Sequence, residues 1–434
     1  MTSLEDAPRA TYRDVLAEPR FRVLFGARCL WIAGSVLRTV GLSVLVYGRT
    51  GSPLLAGLAF GAGWLPQVAG GLLLGALADR LRPRPLVVGA YAAGAAATAV
   101  PALPGTPVAV SLLLVAAVSV VTPVVSGAFN RLISEVLSGD AYVLGRSLTL
   151  IAASAAQVLG LAFGGIVIAA LGARSALLVA TAAFVLAAAL TRARLPDLPA
   201  APRAEGMPGS VLRESWSGSR DLLADPVVRA LLLAQWLPLV FASGAEGLLV
   251  PYAAVRGFPE GAGALLLACS PAGMLVGNLA AGRGLGPRAR ERMVVPLLVL
   301  LGLPLLGPAL PVPLAVLVVL QFAAGAGYAY ELGIQRRFVD AVPDGARGHA
   351  FGLASTGMMT FQGLGPVLSG AVAEFLPVGW TIALCGAAIV LTALLLRGGL
   401  ARARRLDDRQ DDRQDDRRGD RRGDRRKGRQ GDRR

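Results

Sequence analysis

Arg38, Glu246 and Glu331 stand inside stretches of the chain that are otherwise apolar for about twenty residues or more. An ionisable group in such surroundings has two chemistries open to it: pairing with an opposite charge, or taking up and releasing a proton. Arg38 lies about 15 residues into its stretch, some 22 Å along a helix rising ~1.5 Å per residue. Glu246 lies 17 residues beyond Arg229, about 26 Å on the same scale, so the two reach similar depths. Similar depth leaves several options open: pairing with one another, sharing a proton with a bound solute, extending to the outer surface, or pairing with other partners. Glu331 falls close to Arg336 and Arg337, where a structural ion pair is the expectation and a proton-carrying role the alternative. Arg28 lies near the end of its stretch, can extend to the polar boundary and is assigned no role, and Glu374 likewise reads as a boundary residue.

Other chemistries lack their residues. The chain holds one histidine, and its three cysteines (Cys29, Cys269 and Cys385) are scattered, which excludes a disulfide framework and a Cys/His metal site. No nucleophile motif, phosphate-binding loop or His/Cys/Asp cluster is present, so the chain does not read as an enzyme, and no catalytic residue, metal or cofactor is expected. The net charge of +15 is no nucleic-acid footprint: 15 basic and 9 acidic residues after Arg397 carry part of it, and the rest is spread over short segments between apolar runs.

The elements that must hold the buried charges follow from composition. Apolar residues make up 54% of 434 positions and charged ones 16%, too apolar a body for water to solvate. A helix of about 20 apolar residues crosses the ~30 Å hydrocarbon core. Twelve such stretches are present, at 23–47, 53–78, 85–103, 107–129, 147–171, 175–191, 227–254, 261–282, 293–310, 312–334, 350–376 and 378–396. The expectation is an all-α protein embedded in the lipid bilayer. Continuous runs exclude a barrel, whose strands alternate. Pro66, Pro123, Pro238, Pro251, Pro271 and Pro366 predict kinks.

Alternate segments between the spans differ in charge. One set holds 22 arginines, from Arg9 to Arg347, and the other only Arg49, Arg174 and Arg256. Basic residues resist translocation, so a multi-pass plasma-membrane protein with both termini in the cytoplasm is expected. The divisions are a cytoplasmic N-terminus at 1–22 without a cleaved leader, spans 1 to 6 at 23–191, a Pro- and Gly-rich cytoplasmic loop at 192–226, spans 7 to 12 at 227–396, and a disordered charged tail at 397–434.

The two halves repeat each other. Pro19-Arg20-Phe21-Arg22 opens span 1 and Pro226-Val227-Val228-Arg229 opens span 7, with Arg49 and Arg256 equally far beyond them. Gln157-Val158-Leu159-Gly160 followed by Gly164-Gly165 is echoed by Gln362-Gly363-Leu364-Gly365 followed by Ser369-Gly370. Parallel repeats of six spans make two six-helix lobes with a solute site at midplane between them.

Local motifs sharpen this reading. Gly75-Ala76-Leu77-Ala78-Asp79-Arg80, with Arg84 beyond it, follows span 2, and Val342-Pro343-Asp344-Gly345-Ala346-Arg347-Gly348 precedes span 11. On these residues, over roughly 19–397, the chain resembles the major facilitator superfamily, more narrowly its drug and siderophore exporters of the macrolide-efflux and enterobactin-exporter type. The resemblance implies a secondary active transporter that exports a small amphipathic compound by alternating access in exchange for protons. A proton-coupled importer and a non-transporting receptor are the alternatives.

The resemblance also implies a conformational gate at Gly75, Asp79, Arg80 and Arg84, in which the carboxylate caps a neighbouring helix and pairs with arginine in one state only. Gly160, Gly164 and Gly165 are similar to an antiporter motif, with Leu161 where that motif has proline, whereas the second copy keeps Gly365-Pro366. Gly160, Gly164, Gly165, Gly365, Pro366 and Gly370 are therefore expected at the lobe interface, where small residues let backbones approach. Relatives often carry an aspartate after the glycine of span 1; here Gly34 is followed by Ser35, which turns attention to Glu246 as the coupling acid. Trp31, Trp64, Gln67, Gln157, Gln235, Trp236, Gln321, Tyr328, Phe361 and Gln362 are the aromatic and amide groups within spans that could meet an amphipathic solute. The protein is expected to act as a monomer.

Overall fold

The computed structural model describes residues 11–74, 81–195, 219–220, 222–343 and 346–397. Among them every regular element is a helix. Span 1 is Pro19–Thr50, longer than the expected 23–47 because both ends are capped. The Glu18 side chain accepts from the Arg20 amide, Pro19 pre-sets the first turn, and Gly51 closes the helix at φ 65°. A short helix, Tyr12–Ala17, precedes it with a reciprocal Thr11–Asp14 cap. Hydrogen bonds from Thr11 hold the Asp14 carboxyl below its usual range.

Span 2 is broken into Pro53–Gly61 and Leu65–Leu74, with Pro66 at the restart. Spans 3 and 4 are Pro83–Ala102 and Val108–Val136. The helix Gly139–Arg194 is far longer than one ~30 Å crossing requires, and it turns at Gly172, whose φ of 79° and ψ of 167° no helix contains, so it is spans 5 and 6. Span 7 is Pro226–Gly247 continued by Leu249–Val255, and span 8 is Ala262–Gly284. Span 9 runs Val294–Gly302 and finishes as the 3-10 helix Leu303–Ala309, which holds Pro304 and Pro308. Span 10 is Leu314–Gly327 and Tyr330–Ala341, broken without any proline; span 11 is Arg347–Ala373 and span 12 is Val378–Arg397. The expected kinks at Pro66 and Pro251 fall beside real breaks, whereas Pro123, Pro238, Pro271 and Pro366 lie inside continuous helices.

Twelve crossings put Pro19 and Arg397 on one face, here called proximal, and the loops after spans 1, 3, 5, 7, 9 and 11 on the other, called distal. Spans 1 to 6 close around Phe21, Trp31, Tyr91, Leu132 and Phe184, and spans 7 to 12 around Leu231, Leu266, Leu298, Tyr330 and Ile389. The second cluster continues into Leu37, Val167 and Ile168 of the first lobe, so the lobes share apolar contact. The outside is apolar too, with Leu113, Ile166, Leu159 and Leu395 each at least 65% exposed. In water such a surface would aggregate; against lipid tails it is the expected finish.

Candidate functional site

The lobes meet along a seam of small residues in the distal halves of spans 2, 5, 8 and 11. A methyl group built on Gly61 would lie 2.7 Å from the Gly363 carbonyl oxygen, one on Gly370 would lie 2.8 Å from that of Pro53, and one on Gly57 would run into the Pro366 carbonyl. On the opposite side a methyl group built on Gly261 would lie 2.6 Å from the Gly165 carbonyl oxygen, while one on Gly165 would make ordinary contact with Ala264 at 3.4 Å. Only glycine allows backbones this close.

Of the six residues expected here, Gly165, Pro366 and Gly370 sit in the seam. Gly160 and Gly164 instead face Ala33 and Leu37 of span 1, and Gly365 faces Val240 and Ser243 of span 7, each inside its own lobe. The reason is helical rotation: neighbouring positions on one span point to different partners. Gly57 and Gly61 were missed by the sequence reading, although their four-residue spacing in an apolar span is the small-residue pattern that marks close helix packing.

Arg38 and Glu246 are not brought together. Arg38 lies on the face of span 1 that also holds Gly34 and Gly41, and that face packs on span 6, with the guanidinium 5.6 Å above the Phe184 ring. It is 5% exposed, and among the described residues its Nε and Nη1 have no hydrogen-bond partner. Glu246 faces spans 8 and 10 of the other lobe. The Ser270 hydroxyl donates to its Oε1 at 2.8 Å, and the Tyr328 hydroxyl lies 3.5 Å from the same atom. Equal depth is not enough for a pair; each charge is turned toward the interior of its own lobe. Among the described residues Glu246 thus has two hydroxyl neighbours and no cation, an arrangement that lets a carboxyl exchange its proton without breaking an ion pair. Ser270 was missed, and nothing in its surroundings in the sequence singles it out.

The Glu331 carboxylate makes no hydrogen bond or ion pair among the described residues, and only its backbone amide donates, to the Tyr328 carbonyl at 3.1 Å. Of the two arginines expected near it, Arg337 is bound instead by Glu291, which accepts from Nε at 3.1 Å and Nη2 at 2.9 Å, and the side chain of Arg336 lies outside the described residues. Both partners are largely buried, at 9% and 19% exposure. Glu291→Gln is expected to destabilise the second lobe by about 1–3 kcal/mol, because a buried guanidinium loses its charged acceptor. Thermal unfolding in detergent checks this, and a Tm equal to that of the unaltered protein would contradict it.

The gate residues Gly75, Asp79 and Arg80 lie outside the described residues. Arg84 donates to the Arg192 carbonyl at the end of span 6, tying the start of span 3 to its own lobe.

The ten aromatic and amide candidates divide. Trp31 is core, stacked on Tyr91 and tilted against Phe184, with ring centroids 5.0 Å away in each case. Trp236 wedges between spans 7 and 11, donating to the Ala354 carbonyl at 3.1 Å and stacking on Phe361 at 5.7 Å. The Gln67 and Gln235 amides are spent on carbonyls four residues back, Gly63 and Leu231. Gln321 is buried, Trp64 sits in the break of span 2, and Tyr328 belongs to the Glu246 group. Gln362 is half-buried and Gln157 exposed.

The comparisons with known proteins fit this architecture. Among solved structures, a bacterial homolog of the human lysosomal transporter Spinster, in an inward-facing and unoccupied conformation, superposes with a TM-score of 0.62 at 15% identity, covering 89% of this chain and 96% of that one. The nucleoside transporter NupG superposes with a TM-score of 0.66 at 17% identity, covering 89% and 98%. The POT family transporter PepTSo does so at 0.66 and 11% identity, covering 90% and 99%. At these identities the likeness is one of fold. No curated protein matches the sequence. The sequence itself matches the Major Facilitator Superfamily over residues 23–330 and 264–428. A two-lobed bundle of twelve spans with that match is a multi-pass membrane transporter of small molecules and not an enzyme: the chain belongs to the major facilitator superfamily.

Proposed function

We propose that the protein exports a small amphipathic compound, drug-, antibiotic- or siderophore-like, across the plasma membrane in exchange for protons. It does so as a monomer that opens its lobes alternately to the two faces. The observation that carries this reading is Glu246, a carboxyl inside a membrane lobe with hydroxyl neighbours and, among the described residues, no cation. A seam of close glycines that lies, among the described residues, in the distal halves of the spans supports it, because lobes that meet at one end can rock about it. The arginine excess of the proximal segments assigns that face, with residues 1–22, 192–226 and 397–434, to the cytoplasm. The conformation described is then the cytoplasm-open one, and Asp79 with Arg80 and Arg84 is the gate that holds the other.

Reconstitution into proteoliposomes with an imposed pH gradient tests the proposal. A panel of amphipathic drugs and iron chelators should include a compound that releases protons from loaded vesicles as it moves. Solute and protons moving in the same direction would replace export with import, and the absence of any flux across the panel would favour a receptor.

A further inference from the structure

Glu374 read from the sequence as a boundary residue, yet it joins the two lobes. It follows span 11 directly, and its Oε1 accepts from the Ser52 hydroxyl at 2.5 Å and from the Leu54 backbone amide at 3.1 Å. Ser52 caps the helix Pro53–Gly61, its hydroxyl also accepting from the Leu55 amide at 3.1 Å. The carboxylate therefore sits on the open amides at the start of span 2, where a helix end attracts negative charge. On the distal face, among the described residues, the hydrogen bonds that cross between the lobes both end on this one oxygen.

The surroundings are arranged to transmit strain through that contact. Directly beneath it, Gly370 and Gly57 bring the same two spans into backbone contact. On either side the distal loops are braced within their lobes: Arg49 donates to the Thr106 carbonyl at 2.8 Å, and Arg256 to the Leu310 and Val312 carbonyls at 3.0 and 3.1 Å. The two arginines occupy equivalent places in the sequence repeat, and each ties the end of its span to a neighbouring distal loop of the same lobe. A cleft of about 550 Å³ lined by Tyr47, Tyr252, Arg256 and Glu374 admits water to the contact.

We infer that Glu374 is the distal latch of the transport cycle: its charged hydrogen bonds to Ser52 and Leu54 hold the distal face shut and must break each time that face opens. The inference rests on the alternating-access reading above but on neither its direction nor its coupling ion. Because Glu374 is exposed and outside both cores, changing it leaves the lobes folded.

The test is a pair of spin labels on Leu103→Cys and Leu310→Cys, exposed positions of opposite lobes on the distal face, in protein whose Cys29, Cys269 and Cys385 are replaced by alanine and which is reconstituted in nanodiscs. Glu374→Gln and Glu374→Ala are each expected to raise the ratio of long to short inter-label distances about threefold to tenfold, the worth of a solvent-exposed charged hydrogen bond. Phe375→Ala, at the adjoining residue and 89% exposed, should leave the ratio unchanged. Distances for both Glu374 variants equal to those of the unaltered protein, or an equal shift with Phe375→Ala, overturns the latch. A shift specific to Glu374 in a protein that moves no solute upholds it while overturning the transport reading.

Discussion

Leucine in place of Gly57 is expected to lower solute flux at least about fivefold while the protein still inserts, folds and remains monodisperse. Any side chain at this position enters the space of the Pro366 carbonyl, a backbone atom that cannot turn aside. Overpacking of this kind costs about 1–3 kcal/mol. Inside a lobe that penalty would lower stability, but Gly57 and Pro366 belong to different lobes, so separation relieves it. The distal-closed state is therefore penalised relative to the distal-open one by roughly five- to 150-fold, and a cycle that must visit both is slowed. Gly48→Leu is the matched control: it is a glycine of span 1 with nothing within 4 Å of the added carbon, and it should transport normally. Initial rates in proteoliposomes, with the distal label distances read in parallel, check the result. Normal flux from Gly57→Leu would remove the seam from the mechanism.

The second large effect is expected at Glu246. Glu246→Gln keeps the length of the side chain and an oxygen that can accept from Ser270, but it has no proton to exchange. Accumulation against a gradient driven by protons should fall about a hundredfold, the low end of what a positioned proton-transfer group supplies. Downhill solute exchange, which needs the lobes to rock but no proton to move, should survive. Ser270→Ala removes the 2.8 Å donor and leaves the carboxyl, so it should shift the pH dependence of transport without abolishing coupling. A Glu246→Gln protein with unchanged uphill accumulation and unchanged pH dependence would exclude this carboxyl as the coupling acid.

Much of the fold was legible because the bilayer imposes a length. Over its described residues each expected stretch of about 20 apolar residues is helical, in one piece or two, and even the turn between spans 5 and 6 was expected at 171–175, where Gly172 makes it. The break in span 10 was not legible. It falls at Tyr328 and Ala329, where no proline stands. Gly327 lies against the backbone of span 9 there, with Leu297 and Leu301 as its neighbours, so the interruption is a matter of tertiary packing.

The site was legible in kind and not in arrangement. Composition and spacing alone determined that the chain is a helical bilayer protein, that it has two repeated lobes, and that its buried charges are few, because hydrophobicity, length and period are local properties of the chain. Which charge meets which group was decided only by the tertiary structure. Two residues at equal depth on different helices can face one another or face apart, and that depends on the rotation of each helix about its axis, which packing sets across the whole lobe. Arg38 was turned to Phe184, Glu246 to Ser270, and Glu374, read as a residue of the boundary, was carried more than 300 positions along the chain to the start of span 2.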